Sequence, residues 1–241
     1  MSPKRAPFVM LNSLLRRRFP QVDNPAWLVA RGAIFVNGAP VASPHARVRA
    51  DASIRIRLPR PLRGTIKLAH AISAFDIDAN GVIALDLGAA AGGFTQALLD
   101  AGAARVYAVD AGTGQLRGWL RADPRVVNLE RTNLARLAHN LVPDSVDLVT
   151  MDLSYLAVAG AIEQLNADLL APVTELIALI KPTFELHAGT LATDPRQVIA
   201  AVAHAERAIS ETGWEVQGRE RSPITGSKGA IEVFVHARRR T

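Results

Sequence analysis

Cysteine is absent from the 241 residues. Disulfides, thiolate-zinc sites and thiol catalysis are thereby excluded, and a reducing compartment suits the chain. Long apolar runs are also missing. None approaches the roughly 18 residues of a membrane span, and Met1-Ser2-Pro3-Lys4-Arg5 leads into no signal-like stretch. A soluble, cytoplasmic protein is expected, with no membrane role. The six histidines lack metal-ligand spacing, and no Ser/His/Asp set or P-loop occurs, so no metal is expected. Acidic residues are scarce at one end. Residues 1–67 hold 13 Lys and Arg against 2 Asp and Glu, while residues 68–241 hold 15 against 20. Positive charge confined to one patterned segment is the footprint of phosphate binding; a solubilising basic face is the alternative.

What is present suffices for a packed core, since 49% of the residues are hydrophobic. Leu11, Leu14, Leu15 and Phe19 have helical spacing beside Arg16-Arg17-Arg18. Asn24-Pro25 reads as cap and first turn of a short helix ending at Gly32, in which Trp27 reads as core. Ile34–Val36, Asn37-Gly38 and Val41 form a hairpin pattern. Ile54-Arg55-Ile56-Arg57 alternates like a half-buried strand with a cationic outer face. Pro59-Arg60-Pro61 stiffens a connector. The boundaries implied are 1–58 for a small α+β domain, 59–63 for a linker and 64–241 for the remainder.

From residue 64 strands and helices alternate. Strands are expected at Val82–Leu87, Val106–Val109, Val126–Leu129, Val146–Met151, Glu175–Ile180, Trp214–Glu220 and Ile231–His236, and a helix at Pro195–Thr212 capped by Asp194. Such alternation predicts an α/β, Rossmann-like fold with a mostly parallel sheet of about seven strands. The loop Asp86-Leu87-Gly88-Ala89-Ala90-Ala91-Gly92-Gly93-Phe94-Thr95 follows the first strand and opens a helix. Small residues let a ligand approach the backbone, and the helix start offers free N–H groups. The spacing is not G-x-G-x-x-G, so a nicotinamide dinucleotide fits poorly. Asp110 ends the next strand, where a carboxylate accepts from ribose hydroxyls, and Asp86 is placed to face an ammonium. A nucleoside-type cofactor is as far as spacing alone goes.

Seven segments then occur in order: Arg63–Leu68, Asp86–Thr95, Gly112–Leu116, Leu129–Asn133, Met151–Tyr155, Lys181–Glu185 and Ser222–Gly226. Together they resemble the TlyA family, haemolysin-named ribosomal RNA 2'-O-methyltransferases whose catalytic domain is similar to the FtsJ/RrmJ type. The front segment through Arg31–Gly38 looks like the alpha-L RNA-binding module. The resemblance implies S-adenosylmethionine as cofactor (S-adenosylhomocysteine as product) and ribosomal RNA or ribosomal subunits as partner, with cytidine as the target. It implies a catalytic set of Lys67, Asp152, Lys181 and Glu232: Lys181 as the hydroxyl-directed base, Asp152 as its orienter, Lys67 and Glu232 as supports. Cofactor contacts are expected from Asp86, Gly88, Ala89, Ala90, Gly92, Gly93, Phe94, Thr95, Asp110, Ala111, Thr132, Asn133 and Asp152. RNA contacts are expected from Arg5, Arg16, Arg17, Arg18, Arg31, Arg55, Arg57 and Arg63.

The chain departs from the family pattern at Asn24-Pro25, where a Ser-Arg pair is usual, at Ile231, where an Arg is usual, and in a shortened loop after Glu185. Three other readings compete: a non-catalytic RNA-binding protein on the same fold, a haemolysin-like membrane-active protein, and a base methyltransferase. Retention of all four charged positions opposes the first, and the lack of an amphipathic or spanning segment opposes the second. Asp152-Leu153-Ser154-Tyr155 in place of an Asn-Pro-Pro-Tyr motif opposes the third.

Overall fold

The computed structural model describes residues 6–22, 24–57, 60–186 and 194–240. Arg5, Pro59 and most of the loop after Glu185 lie outside the described residues. Two compact units divide the chain at Arg60 and Pro61, each with its own core.

The small unit contains β1 (Phe8–Met10), α1 (Leu11–Arg18), α2 (Pro25–Ala30), β2 (Ile34–Val36), β3 (Ala39–Pro40), β4 (Arg47–Arg49) and β5 (Ile54–Ile56). α1 buries Leu11, Leu14 and Leu15 as their spacing requires and leaves Arg16, Arg17 and Arg18 outside. Asn24 caps α2 by accepting from the Trp27 N–H at 3.1 Å, and Pro25 fills the first turn. α2 turns Leu28 and Val29 inward. Trp27 therefore points out, 37% exposed with the Arg31 guanidinium 4.0 Å above its ring, and is not the core residue expected. Asn37 and Gly38, both at positive φ (51° and 85°), make the tight turn from β2 to β3. β2 also pairs antiparallel with β5, whose Arg55 faces solvent between the half-buried Ile54 and Ile56.

The large unit runs α3 (Arg63–Ala74), β6 (Ile83–Leu87), α4 (Gly93–Asp100), β7 (Arg105–Asp110), α5 (Gly118–Arg121), β8 (Val126–Glu130), β9 (Val146–Met151), α6 (Val158–Gln164), β10 (Leu170–Ile180), α7 (Pro182–Glu185), α8 (Pro195–Glu211), β11 (Glu215–Arg221) and β12 (Val233–Arg240). The seven strands make one sheet in the order β11-β12-β10-β9-β6-β7-β8. Its neighbours are parallel except around β12, which is antiparallel to both β10 and β11. Strand alternation splits the core between two faces. Leu85, Leu87, Val149 and Met151 pack with Ile162, Val202 and Ile209 on one, while Ala84, Leu148 and Phe234 pack with Leu68, Phe94 and Leu98 on the other.

All seven expected strands are present. β10 starts five residues before the expected Glu175, at Leu170. β12 starts at Val233 and runs through the terminal arginines, where Arg238 Nε donates to Glu175 Oε1 at 2.6 Å. Glu232 was expected inside this strand; it stands one residue before it. Its backbone carbonyl accepts from Ser222 N at 3.0 Å, and its carboxylate leaves the sheet. Among the described residues, no helix is long and apolar enough to cross a membrane.

Candidate active site

The loop after β6 is shaped by backbone conformation. Gly88 (φ +87°) and Gly92 (φ +92°) are left-handed. A Cβ on Gly88 would come within 2.6 Å of the Asp152 carbonyl oxygen, and one on Gly92 within 2.1 Å of Leu120 Cδ1. Gly88 and Ala89 donate their N–H groups to the Val109 carbonyl at 2.9 and 3.0 Å. Ala90 N donates to Asp110 Oδ2 at 2.8 Å, and Gly112 N to Asp110 Oδ1 at 2.7 Å. Asp110 thus clamps the two loops that flank it. Each of its oxygens keeps a lone pair, and Ala90 and Ala111 beside it face solvent.

Three other residues expected at the cofactor, Asp86, Phe94 and Thr95, are buried beneath the loop. Asp86 does not face the loop mouth. It is fully buried, because alternation along the central strand β6 turns it toward α4. Thr95 Oγ1 donates to its Oδ2 at 2.6 Å and Thr150 Oγ1 to its Oδ1 at 3.1 Å, so its place is that of a brace between α4 and β9. Phe94 and Thr95 are likewise buried, leaving only their backbone for a ligand. Asn133 caps a short helical turn by accepting from Ala135 N at 3.1 Å, and Thr132 donates its hydroxyl to the Glu130 carbonyl at 3.2 Å.

Burial pushes the Asp86 carboxyl up to about 7; the Thr95 and Thr150 hydroxyls oppose the rise, and the charge of Asp152 adds to it. Between its ordinary value of 3.8 and about 7, the folded protein keeps a proton that the unfolded chain has released. Stability therefore falls as pH rises through that window, by at most about 1.4 kcal/mol per unit, and levels off above it. Asp86→Asn is expected to flatten this slope in urea midpoints measured from about pH 4.5 to 7.5. An unchanged slope in the variant would assign it to other groups.

The four charged positions gather at one edge of the sheet. β9 and β10 are parallel, so Asp152 and Lys181, each one residue past its strand, leave at the same edge. β12 is antiparallel and pairs Val233 with Ile180, which sets Glu232 opposite Lys181. Lys181 Nζ lies 2.6 Å from Asp152 Oδ1 and donates to Ser154 Oγ at 2.8 Å. Lys67 reaches in from α3 and ion-pairs with Glu232, the two side chains only 8% and 6% exposed. α3 is held against the cofactor loop by Thr65 Oγ1, which donates to Gly93 O at 3.0 Å.

Some sites had no warning in the sequence. Ser154 stands in a recognised segment but had no role until Lys181 was seen on it. Glu130 anchors the loop at 112–116: the Gly114 and Leu116 N–H groups and Arg121 hold its carboxyl below the usual range, Gly114 foremost. The expected RNA-contacting arginines divide. Arg16, Arg17, Arg55 and Arg57 are exposed. Arg18 is not free, since its guanidinium donates to the Ala52 and Ala50 carbonyls at 2.6 and 2.5 Å. Arg63 donates to the Thr225 carbonyl, and Arg31 stacks on Trp27.

Residues 61–239 match the model of the FtsJ-like methyltransferases. The chain belongs to that family. Within it, the sequence is 36% identical over 225 residues to the 16S/23S rRNA (cytidine-2'-O)-methyltransferase TlyA of Mycobacterium tuberculosis, covering 90% of this chain and 84% of that one. A hemolysin-named protein of Streptococcus thermophilus superposes with a TM-score of 0.70 at 26% identity, over 97% of this chain and 89% of that one. An S-adenosylmethionine-dependent methyltransferase of Listeria monocytogenes shares the fold, with a TM-score of 0.54 at 15% identity over 75% of this chain and 99% of that one. The FtsJ-like unit thus carries an S-adenosylmethionine-dependent methyltransferase fold, and the TlyA likeness extends over nearly the whole chain.

Proposed function

We propose that this protein methylates the ribose 2'-hydroxyl of a cytidine in ribosomal RNA, in the cytoplasm, with residues 1–58 as the RNA-gripping domain. The observation that carries the reading is the Lys181 ammonium held by Asp152 and Ser154 at the same sheet edge as the small-residue loop and Asp110. The names of the TlyA relatives supply the substrate class. The residues present fit a nucleoside-bearing cofactor. From Gly88 to Gly93 no side chain exceeds a methyl group, and Asp110 keeps acceptor capacity beside an exposed backbone. Ala90, Ala111 and Asp110 would hold the ribose side; Thr132 and Asn133 are the next residues along that rim, and Asp86 supports from below.

S-adenosylmethionine, when bound, supplies a methyl group already activated for transfer. The chain's own part is positioning and proton handling. Once its ammonium has released a proton to solvent, the neutral Lys181 amine accepts the proton of the attacking 2'-hydroxyl. Asp152 and Ser154 fix the direction of Nζ, and the Lys67–Glu232 pair stands at the same end of the sheet. Exposed Arg16, Arg17, Arg55 and Arg57 neutralise phosphates, a grip that weakens with salt. The test is transfer of labelled methyl from S-adenosylmethionine to ribosomal subunits and to naked ribosomal RNA, followed by nucleoside analysis. A 2'-O-methylcytidine product is expected. Cofactor binding without transfer to any RNA would leave a non-catalytic RNA-binding protein instead.

A further inference from the structure

A cavity of about 430 Å³ opens beside Lys181, between α6, α7 and α8. Thr183 and Phe184 of α7, Glu163 of α6 and His204 of α8 form its walls, and Tyr155 stands at its rim. The Phe184 ring centroid is 6.0 Å from Lys181 Nζ, so the cavity begins about one nucleotide's reach from the proton-accepting atom. None of the residues assigned to the cofactor or to proton transfer lines it.

The cavity is built rather than left over. Glu185 is 3% exposed; its Oε1 accepts from the N–H of Val158, the first residue of α6, and its Oε2 lies 3.3 Å from His204 Nδ1. One buried carboxylate therefore ties the three helices that wall the space. Two aromatic rings remain open to it, Tyr155 at 54% exposure and Phe184 at 36%. Partial desolvation, and after it the charge of the Asp110 carboxylate, raise the Tyr155 phenol above its usual value.

The chemistry of the walls selects a class of ligand. Among the described residues no Lys or Arg lines the cavity, and the nearby Lys181 is already paired with Asp152, so a phosphate has no free counter-charge there. Aromatic faces suit a flat π-system, and the exposed Glu163 carboxylate accepts from N–H groups. A free nucleobase with an exocyclic amine satisfies both. Single-stranded RNA is commonly read through bases splayed out onto aromatic side chains and bonded at their edges.

We infer that this cavity receives an unstacked, amino-bearing nucleobase of the substrate strand, stacked on Phe184 with its amine toward Glu163. The inference rests on the RNA-methylating reading above. The base comes either from the methylated nucleotide or from an immediate neighbour, and abasic substrates tell the two apart.

The experiment uses the full chain and the RNA that wild type methylates, compared with RNAs lacking one base at the target or at either neighbour. KM for RNA, kcat and cofactor affinity are measured for wild type, Phe184→Ala and Glu163→Gln. Phe184→Ala is expected to raise KM about tenfold, the loss of one stacked base, with cofactor affinity unchanged. On the one abasic RNA that lacks the bound base, wild type loses the same factor and the Phe184→Ala penalty disappears. Glu163→Gln is expected to raise KM about threefold, most of all for an amino-bearing base. The inference is overturned if neither variant changes KM, or if the Phe184→Ala penalty is equal on every abasic RNA. Wild-type turnover without such coupling removes this inference alone. A wild type that methylates no RNA removes the function reading and this inference together.

Discussion

Lys181→Arg is expected to bind cofactor and RNA as wild type does and to transfer methyl about 10² to 10⁴ times more slowly. The guanidinium keeps the positive charge that pairs with Asp152 across 2.6 Å. It does not lose its proton in a protein, so it cannot accept one from a hydroxyl. Lys181→Ala is expected to be as slow, but it also strips Asp152 of its cation and so mixes two effects. The arginine variant isolates proton acceptance from electrostatics. Single-turnover methyl transfer, with cofactor affinity by calorimetry, reads both quantities. An arginine variant within tenfold of wild type would mean that Lys181 serves as a fixed charge and that the base lies elsewhere.

The second large effect is on stability. Lys67 and Glu232 form an ion pair whose side chains are 8% and 6% exposed. Removing one partner leaves a charge without compensation in a poorly solvated place, a loss of about 3 to 5 kcal/mol. Lys67→Met and Glu232→Leu, made singly, are each expected to fall in that range by urea denaturation. The double variant is expected to recover most of the loss, since two apolar groups leave nothing unpaired. Additive losses would mean that the pair contributes through packing instead. Gly226 belongs to the same arrangement, because a Cβ there would meet Glu232 Oε1 at 2.3 Å.

The sheet was legible because buried parallel strands are short apolar runs between turn residues, and Val146–Met151 is found with the bounds its sequence suggests. Partners distant in sequence were not. A charge beside an apolar strand marked Glu232 as needing a partner, but Lys67 lies 165 residues away and no local rule names it. Asp86 was read from its nearness to the loop. Which way a strand residue faces depends on the neighbours that bury it, and β7 and β9 on either side put Asp86 on the interior face with Thr150. Arg18 shows the same limit on the surface: a run of three arginines is visible as charge, while its capture by the carbonyls of Ala50 and Ala52 depends on where a later turn folds back.

The reversed direction of β12 has a consequence for how the molecule is made. Were β12 parallel to its neighbours, its leading end would lie at the opposite side of the sheet; running backwards, it delivers Glu232 to the edge where Lys67 and Lys181 stand. Lys67 leaves the ribosome early and its counter-charge comes 165 residues later. A growing chain can assemble β6 through β10 before the carboxylate that pairs with Lys67 has been made. Completion of the final hairpin is then the step that brings Glu232 to Lys67, so a chain interrupted before β12 is expected to be less stable than the whole.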